Sequence, residues 1–361
     1  MGLPALDAFP RRVWSRLATR LARELPVSAM MTYPAPFGYA PLREAIAAYL
    51  AVARGIQCSA DSIVITAGFQ GALGLITRAL LRSGDDVWVE DPGYPHARDA
   101  LTAAGANLVG VPVDDHGIDV AVGMARSPHA RLAVVTPSHQ APLGVALDLP
   151  RRQALLAWAS EAGAWIIEDD YDGEFRYDSL PLPALKSLDE GDRVLYAGTF
   201  SKVLFPGLRL GYLVLPQSLI QKFTGTLQVL YGNDTTFAPA VLSAFMTEGH
   251  FGRHIKRMRQ LYAERRAALA TALDEVFAER LRIKLQAGGM HLLAHLDPQH
   301  QRDVELVQKA RSQGLAVAAL SRWSVERDCG QGLLLSFTNI PTESARREVQ
   351  RLDRALSSKR R

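Results

Sequence analysis

The chain is organised around the stretch Val194-Leu-Tyr-Ala-Gly-Thr-Phe-Ser-Lys202, which continues as Val-Leu-Phe-Pro-Gly-Leu-Arg209. Its pattern predicts an apolar strand, a hydroxyl-rich turn that ends in one lysine, and a second strand that carries Arg209. Burial between apolar strands lowers the pKa of a lysine amine and permits Schiff-base chemistry. On these residues alone, a solvated lysine in a surface loop remains the alternative.

Composition and charge are those of an ordinary globular protein. The 361 residues exceed a typical single domain, which favours one large domain plus a smaller one. The formal charge of +4 gives no indication of nucleic-acid binding. Cys58 and Cys329 suggest no disulfide framework, and the sequence lacks a signal peptide and an apolar run of membrane-spanning length. We therefore expect a soluble, cytoplasmic protein.

Strands and helices alternate through the first two thirds of the chain. Strands are predicted over 62–66, 86–90, 108–113, 132–136 and 165–168 and from Val194 and Leu210, with helices over 10–25, 42–54, 72–82, 95–104 and 150–162. Such alternation predicts an α/β domain with a mostly parallel sheet.

The pattern changes at about residue 251. A long amphipathic helix over 254–280 is followed by short strands and two helices, which predicts a smaller α+β domain. The expected division is an N-terminal helix and arm over 1–40, a large α/β domain over 41–250 and a small domain over 251–361.

Four loops that follow strands carry candidate functional residues, because ligands of open α/β sheets bind at the carboxyl ends of strands. In the first, Thr66-Ala-Gly-Phe-Gln70-Gly, backbone N–H groups and a helix N-terminus offer a phosphate site. A plain tight turn is the alternative there. The second, Glu90-Asp-Pro-Gly-Tyr94, presents an aromatic ring that would either stack on a planar cofactor or pack in the core.

The third and fourth loops are polar. Thr136-Pro-Ser-His-Gln140 can hydrogen-bond a ring substituent, although a lone histidine such as His139 is more often structural than catalytic. Ile166-Ile-Glu-Asp169-Asp-Tyr171 ends an apolar strand in carboxylates, which are costly to bury unless paired. No histidine or cysteine cluster accompanies them, so we predict no metal site; an aspartate-rich helix cap is the alternative.

Together these loops and Lys202 suit a planar, phosphorylated, cationic heterocycle. Such a ligand needs an amine for its aldehyde, a carboxylate for its ring N–H⁺, a stacking ring and a phosphate site. A charge-assisted hydrogen bond from the carboxylate is worth about 1.5–3 kcal/mol and keeps the ring protonated. The protonated ring is the electron sink of pyridoxal phosphate chemistry.

Three stretches closely resemble the aminotransferase-like domain of the MocR/GabR group, within the fold type I, class I/II aminotransferase superfamily. They are Glu168-Asp-Asp-Tyr-Asp-Gly-Glu-Phe-Arg-Tyr177, Tyr196-Ala-Gly-Thr-Phe-Ser-Lys202 and Thr136-Pro-Ser-His-Gln140. The resemblance implies a fold type I α/β architecture, with a large, mostly parallel, seven-stranded type of sheet and a smaller α+β C-terminal domain. It also implies pyridoxal 5′-phosphate as cofactor and an amine or amino acid as substrate.

The same resemblance implies roles for individual residues. Lys202 looks like the lysine of the internal aldimine, Asp169 like the partner of the pyridine nitrogen, and Tyr171 like the tyrosine that bonds the ring 3′-oxygen. Further implied cofactor contacts are Gly68, Phe69, Gln70, Tyr94, Gln140, Thr199, Ser201 and Arg209. Gln140, with His139 as the alternative, stands near the position where relatives place an asparagine. Tyr33 matches a tyrosine that reaches the phosphate of the neighbouring subunit, which implies a homodimer with shared active sites.

One departure from the family pattern affects the substrate. Typical aminotransferases carry an arginine for the substrate carboxylate in a strand near the C-terminus, and Leu334 occupies that position in Leu333-Leu-Leu-Ser-Phe337. An aliphatic side chain removes this clamp. Arg322 and His139 are candidate substrate contacts, with a surface arginine as the alternative for Arg322.

A second departure lies at the N-terminus. Regulators of the MocR type carry a winged helix-turn-helix before this domain, and we expect no DNA-binding module in this chain. Two functions remain open: an aminotransferase that uses Lys202, or the effector domain of a GntR-family regulator that binds the cofactor and an amine with little turnover.

Overall fold

A computed structural model of the chain describes residues 2–26, 28, 35–177, 182–230, 235–296 and 302–357. Tyr33, the predicted contact to a neighbouring subunit, lies outside the described residues.

The larger of two sheets in the described part of the chain has eight strands in the order β1-β8-β7-β6-β5-β2-β3-β4. Its strands are β1 (Ile63–Thr66), β2 (Asp86–Asp91), β3 (Asn107–Asp114), β4 (Gly117–Ile118), β5 (Leu132–Val135), β6 (Trp165–Asp170), β7 (Val194–Thr199) and β8 (Gly211–Val214). The neighbours from β3 through β2, β5 and β6 to β7 pair in parallel, whereas β1, β4 and β8 pair antiparallel. The predicted mostly parallel sheet is confirmed, and the two-residue β4 extends it beyond seven strands.

Helices cover both faces of this sheet, and nearly all residues of its central strands β2, β5, β6 and β7 are buried. The helices of the described chain are α1 (Arg11–Glu24), α2 (Ala40–Ala53), α3 (Gly68–Leu80), α4 (Pro95–Ala103), α5 (Val120–Arg126), α6 (Leu149–Ala162), α7 (Ile220–Leu230), α8 (Phe237–Thr247), α9 (His250–Phe277), α10 (Asp303–Ser312) and α11 (Ala345–Ser357). On one face Leu73 and Ile76 of α3 are fully buried against the sheet. On the other, Trp158 of α6 stacks on Trp88 of β2 with ring centroids 3.8 Å apart.

The smaller sheet is antiparallel, with the order β11-β12-β10-β9. Its strands are β9 (Leu281–Ile283), β10 (His291–Leu296), β11 (Ala318–Ala319) and β12 (Gly332–Ser336). The long helix α9 buries Ile255, Met258 and Leu273, which belong to the same apolar core as Leu333 and Leu335 of β12. This agrees with the α+β pattern predicted for the C-terminal part. The three-part division at residues 40 and 250 stays a prediction.

Two helices begin about one turn earlier than the sequence pattern predicts. Helix α3 starts at Gly68 rather than residue 72, and α9 starts after Gly249 rather than at residue 254. Both glycines have positive φ, 72° and 75°, which other residues adopt at a cost. The glycines let the chain turn directly into each helix.

The carboxyl ends of β2, β5, β6 and β7 lie at one edge of the large sheet, beside the turn from β1 into α3. This edge faces the small sheet and α10, and the candidate site lies between them. In the described part of the chain, no helix is both long and apolar enough to span a membrane.

Candidate active site

A cavity of about 880 Å³ lies between the edge of the large sheet and the small-sheet region. The predicted residues that line it are Gly68, Phe69, Gln70, Tyr94, Asp169, Tyr171, Thr199, Ser201, Lys202, Arg209 and Arg322. The structure therefore brings together residues from five separate segments of the chain. His139 and Gln140 do not line this cavity.

One end of the cavity suits an anion. A methyl group built on Gly68 would lie 3.9 Å from both Arg209 Nη2 and Thr199 Oγ1 and 4.0 Å from Ser201 Oγ. A guanidinium and two hydroxyls thus converge on the backbone at the N-terminus of α3, where N–H groups favour negative charge.

Arg209 reaches this point from a position that the sequence pattern did not predict. It precedes β8 rather than lying within it, and its backbone is left-handed, with φ of 52°. Its Nη2 donates a hydrogen bond to the carbonyl of Ala67 at 3.1 Å, which holds the guanidinium beside the turn. Gln70 adds a buried amide nitrogen that has no hydrogen-bond partner among the described residues.

Lys202 lies in the turn after β7, at the centre of the cavity. Burial lowers the pKa of its amine, and the carboxylates of Asp172 and Asp169 partly offset that effect. Its Nζ lies 3.3 Å from the carbonyl oxygen of Gly2, to which it donates a hydrogen bond. Because a larger fraction of a buried amine of lowered pKa is unprotonated at neutral pH, it is more available as a nucleophile and base than a solvated amine. The alternative of a solvated lysine in a surface loop does not describe Lys202.

Three consecutive carboxylates end β6, and alternation along the strand separates their roles. Glu168 accepts hydrogen bonds at 2.8 Å from the backbone N–H groups of Leu185 and Lys186. Asp170 pairs with the buried Arg54 and accepts a hydrogen bond from the Tyr196 hydroxyl. Asp169, between them, faces the cavity.

Arg54 is a residue that the sequence analysis missed. It lies one residue beyond α2, far along the chain from Asp170, and only its side-chain contacts reveal its connection to the site.

The ionisation of Asp169 depends on its surroundings. Burial, followed by the neighbouring carboxylate of Asp170, raises the pKa of Asp169 well above that of a free aspartate. A cationic ligand group beside this carboxylate would favour its ionised form. Asp169 is thus placed to hold a positive charge in an otherwise closed site.

Tyr171 follows β6 directly and also lines the cavity. Its hydroxyl oxygen lies 2.9 Å from Nδ1 of His139. Burial raises the pKa of Tyr171 well above its ordinary value, and the carboxylates of Asp172 and Asp169 raise it further. The hydroxyl therefore keeps its proton and remains a hydrogen-bond donor.

The structure corrects the predicted cofactor contact of Gln140. Its amide nitrogen donates instead to Glu90 Oε2 at 3.1 Å and to the carbonyl of Pro92 at 2.8 Å, and the residue is 1% exposed. The amide of Gln140 thus supplies a hydrogen-bond donor to one carboxylate oxygen of Glu90 and to the carbonyl oxygen of Pro92. Ala141, the next residue, lines the cavity in its place.

His139 is also displaced from its predicted substrate role. It lies behind Tyr171, with Nδ1 3.1 Å from Asp172 Oδ2, and it is 6% exposed. A substrate in the cavity would meet Tyr171 before His139.

The wall contributed by the small-sheet region has a different character. Its lining residues are Met290, His291, Val304, Val307, Gln308, Arg311, Ala318, Ala319, Arg322 and Trp323. Arg98 holds the loop at the mouth by donating to the carbonyls of Trp323 at 2.7 Å and Arg322 at 3.0 Å. Trp323, which the sequence analysis did not select, lies 6.0 Å from the Tyr94 ring, centroid to centroid.

Leu334 is 2% exposed and does not line the cavity. It packs with Ala141, Leu293, Leu320 and Trp323 in a small apolar cluster behind the wall. The side chain of Leu334 thus serves packing.

Comparisons with known proteins agree with this geometry. The family model for aminotransferase class I and II matches residues 13–347. The probable rhizopine catabolism regulatory protein MocR of Rhizobium meliloti is 36% identical over 355 residues, which are 98% of this chain and 71% of that protein. Aromatic-amino-acid aminotransferase 1 of Thermococcus litoralis is 31% identical over 97% of this chain and 85% of its own length.

A solved structure shows the same fold. LysN, the α-aminoadipate aminotransferase of Thermus thermophilus complexed with N-(5′-phosphopyridoxyl)-L-leucine, superposes with a TM-score of 0.88 at 30% identity. The match covers 99% of this chain and 90% of that one. The family model matches most of the sequence, the fold is that of a solved aminotransferase, and the predicted residues converge on one cavity. The chain therefore belongs to the aminotransferase class I and II family.

Proposed function

We propose that the protein is an aminotransferase that moves an amino group between an amine or amino acid and a keto acid. One observation carries this proposal: a single cavity holds the amine of Lys202, the carboxylate of Asp169 and the anion site at Gly68.

Pyridoxal 5′-phosphate is the cofactor of this family, and the cavity residues fit it. The hydroxyls and guanidinium that converge on Gly68, together with the unpartnered buried amide of Gln70, match a phosphate group. The buried carboxylate of Asp169 matches a protonated ring nitrogen. When bound, the cofactor supplies an aldehyde that condenses with amines and a protonated ring that withdraws electrons.

In this proposal the side chains of the large-sheet wall divide the work. Thr199, Ser201 and Arg209 hold the phosphate, and Tyr94 stacks on the ring. Asp169 keeps the ring nitrogen protonated through a charge-assisted hydrogen bond. Lys202 Nζ is the nucleophile, and it accepts the proton that leaves the substrate α-carbon and returns it.

A second function, the effector domain of a regulator, is supported by Leu334 and by the likeness to MocR. Without an arginine at that position, the small-sheet wall lacks the usual donor for a substrate carboxylate. Arg322, on the wall of the cavity, is the proposed substitute. In a regulator, an amine would be captured and would shift the conformation with little turnover.

Product formation separates these functions. Protein loaded with pyridoxal 5′-phosphate is incubated with a panel of amines and amino acids and with a keto acid, with Lys202→Ala as control. An aminotransferase yields many product molecules per site, and the control yields none. An effector domain changes its absorbance with one donor but forms at most one product per site. Protein that takes up no pyridoxal phosphate contradicts both functions.

We also propose a homodimer with shared sites, from the implied role of Tyr33. Light scattering measures the mass in solution. Mixing Lys202→Ala with Tyr33→Phe protein should form hybrid dimers with one unaltered site, whereas a monomer would show no gain on mixing.

A further inference from the structure

Three polar side chains meet behind the cavity, and the function proposed above uses none of them; the family resemblance implies a role only for Tyr171. The Tyr171 hydroxyl lies 2.9 Å from His139 Nδ1, and the same nitrogen lies 3.1 Å from Asp172 Oδ2. His139 and Asp172 are 6% and 1% exposed, and neither lines the cavity. They therefore contact a ligand in the cavity only through Tyr171, although the charge of Asp172 also acts on Lys202.

The carboxylate of Asp172 determines where the imidazole carries its proton. A neutral imidazole has one N–H, and which nitrogen carries it follows from the partners of the two nitrogens. Nδ1 lies 3.1 Å from Asp172 Oδ2, an oxygen that has no hydrogen-bond partner among the described residues, so the carboxylate acts on an Nδ1 proton through its charge. Nε2 is buried and has no hydrogen-bond partner in that part of the chain. A proton on Nδ1 is thus favoured by the nearby carboxylate of Asp172 and lies within hydrogen-bond distance of the Tyr171 oxygen, whereas a proton on Nε2 would be left unpaired among the described residues.

The position of this proton fixes the direction of the hydrogen bond to Tyr171. If Nδ1 carries the proton, His139 donates to the Tyr171 oxygen, and the hydroxyl proton is left for a ligand or for the carboxylate of Asp172, which is also a hydrogen-bond partner of this hydroxyl. If Nδ1 is bare, the tyrosine must donate to His139 and has no second proton to give.

We infer that Asp172 and His139 are positioning residues that make Tyr171 a hydrogen-bond donor toward an anionic oxygen of the ligand in the cavity. The inference rests on the proposed function in one respect: the oxygen in question is the ring 3′-oxygen of pyridoxal phosphate. Ala141 lines the cavity nearby with a methyl group, which cannot donate, so the direction of the Tyr171 proton matters more than in a site with a second donor.

The remaining charged groups around this cluster do not compete for the same proton. Burial lowers the pKa of His291 to about 4, so this ring, 5.8 Å from His139, is neutral near pH 7. Its Nε2 already bonds the carbonyl of Pro142 at 3.1 Å. Asp169, which also lines the cavity, and Glu90 raise the pKa of Tyr171 through their charges.

The imidazole also has little freedom to reorient. A methyl group on Gly289 would lie 2.2 Å from His139 Cε1, and one on Gly144 would lie 3.0 Å from Nε2. The ring is thus held in place by two close backbone approaches, which keeps Nδ1 directed at Tyr171 and Asp172.

Nitrogen NMR of the purified protein with labelled histidine tests the tautomer without any cofactor. The signal of His139 is identified by its absence in His139→Gln. We expect a protonated Nδ1 and a bare Nε2, and conversion to the other tautomer or to a mixture in Asp172→Asn. A proton on Nε2 in the unaltered protein would overturn the inference.

The pH midpoint of the visible absorbance change of the cofactor-loaded protein supplies a second readout. A hydrogen bond donated to the 3′-oxygen lowers the proton affinity of the chromophore, so its loss raises the midpoint. We expect Tyr171→Phe and His139→Leu each to raise it by about 1 pH unit. His139→Asn, whose amide can donate from near the position of Nδ1, should restore most of the shift.

A double variant separates positioning from simple damage. In the Tyr171→Phe background, His139→Leu should change the midpoint no further, because its effect passes through the hydroxyl. Additive shifts, or a midpoint that is unchanged in His139→Leu, would contradict the inference while leaving the proposed function standing. Failure to bind pyridoxal phosphate would count against the proposed function, and the tautomer measurement would then decide the inference.

Discussion

The two walls of the cavity differ in the chemistry of the side chains that they present. The large-sheet wall presents an amine, a carboxylate, a guanidinium and the hydroxyls of Thr199, Ser201, Tyr94 and Tyr171. The small-sheet wall presents six apolar side chains together with His291, Gln308, Arg311 and Arg322, and Leu334 packs behind it.

The difference separates the side chains proposed for cofactor binding from those proposed for substrate selection. The groups proposed to hold the cofactor are fixed by strand ends and by the turn at Gly68. Groups that select a substrate lie on elements whose packing is apolar. We therefore predict that changes to the first wall affect cofactor binding, whereas changes behind the second affect stability and substrate choice.

The largest effect is expected from Arg54→Ala. This change leaves Asp170 buried without its cationic partner, which typically costs about 3–5 kcal/mol in the free energy of unfolding. Denaturant unfolding measures the loss. Arg20→Ala removes an exposed partner of Glu248 and should change stability far less. Equal effects of the two variants would show that the large-sheet wall does not depend on its buried charges.

Leu334→Ala should be nearly as destabilising but should leave the cofactor in place. Removing a buried leucine typically costs about 2–5 kcal/mol, because the cavity left behind closes only partly. Leu285, which is 53% exposed, offers a control whose replacement by alanine should stay within about 0.5 kcal/mol. A large loss of cofactor affinity in Leu334→Ala would contradict the division of the two walls.

Asp169→Asn should weaken cofactor binding without destabilising the protein. Losing a charge-assisted hydrogen bond of about 1.5–3 kcal/mol weakens cofactor binding by about 10- to 150-fold. The protein without cofactor should become more stable at pH 7, because the raised pKa of Asp169 means that its ionisation opposes folding. Asp115→Asn, at an exposed position, should change neither quantity. Unaltered cofactor affinity in Asp169→Asn would remove Asp169 from the site.

The smallest effect concerns the pH dependence of the cofactor-free protein. Burial raises the pKa of Glu90 to about 7. The folded state then binds more protons than the unfolded state between about pH 4.5 and 7. The stabilisation by Glu90 is therefore complete below this window and is lost as the pH rises through it. Glu90→Gln should flatten this part of the stability profile, as measured by denaturant unfolding at several pH values. An unchanged profile would show that Glu90 does not titrate there.

Much of the fold could be predicted from the sequence because its signals are local. Apolar strands alternate with helices, and the residues after each strand are confined to one edge by parallel pairing. For that reason Lys202, Asp169 and Tyr94 could be assigned to one site before any geometry was known. The resemblance to a family added the individual roles.

The wrong prediction for Gln140 and the missed contact of Arg54 both involve residues that are distant in the sequence. Gln140 has the right chemistry for a ring substituent, but Glu90, fifty positions earlier, takes its amide. The link from Arg54 to Asp170 and the packing of Leu334 are likewise set by tertiary structure. The earlier starts of two helices came from glycines at positive φ, whose backbone angles an apolar pattern does not reveal.

The central claim is that the large-sheet wall carries the cofactor on Lys202, and one measurement tests it directly. The purified protein, loaded with pyridoxal 5′-phosphate, is reduced with borohydride, digested and analysed by mass spectrometry. We predict one modified peptide, with the cofactor fixed to Lys202, and no modified peptide in Lys202→Ala. Modification at another lysine, or persistence of the modified peptide in Lys202→Ala, would contradict this claim.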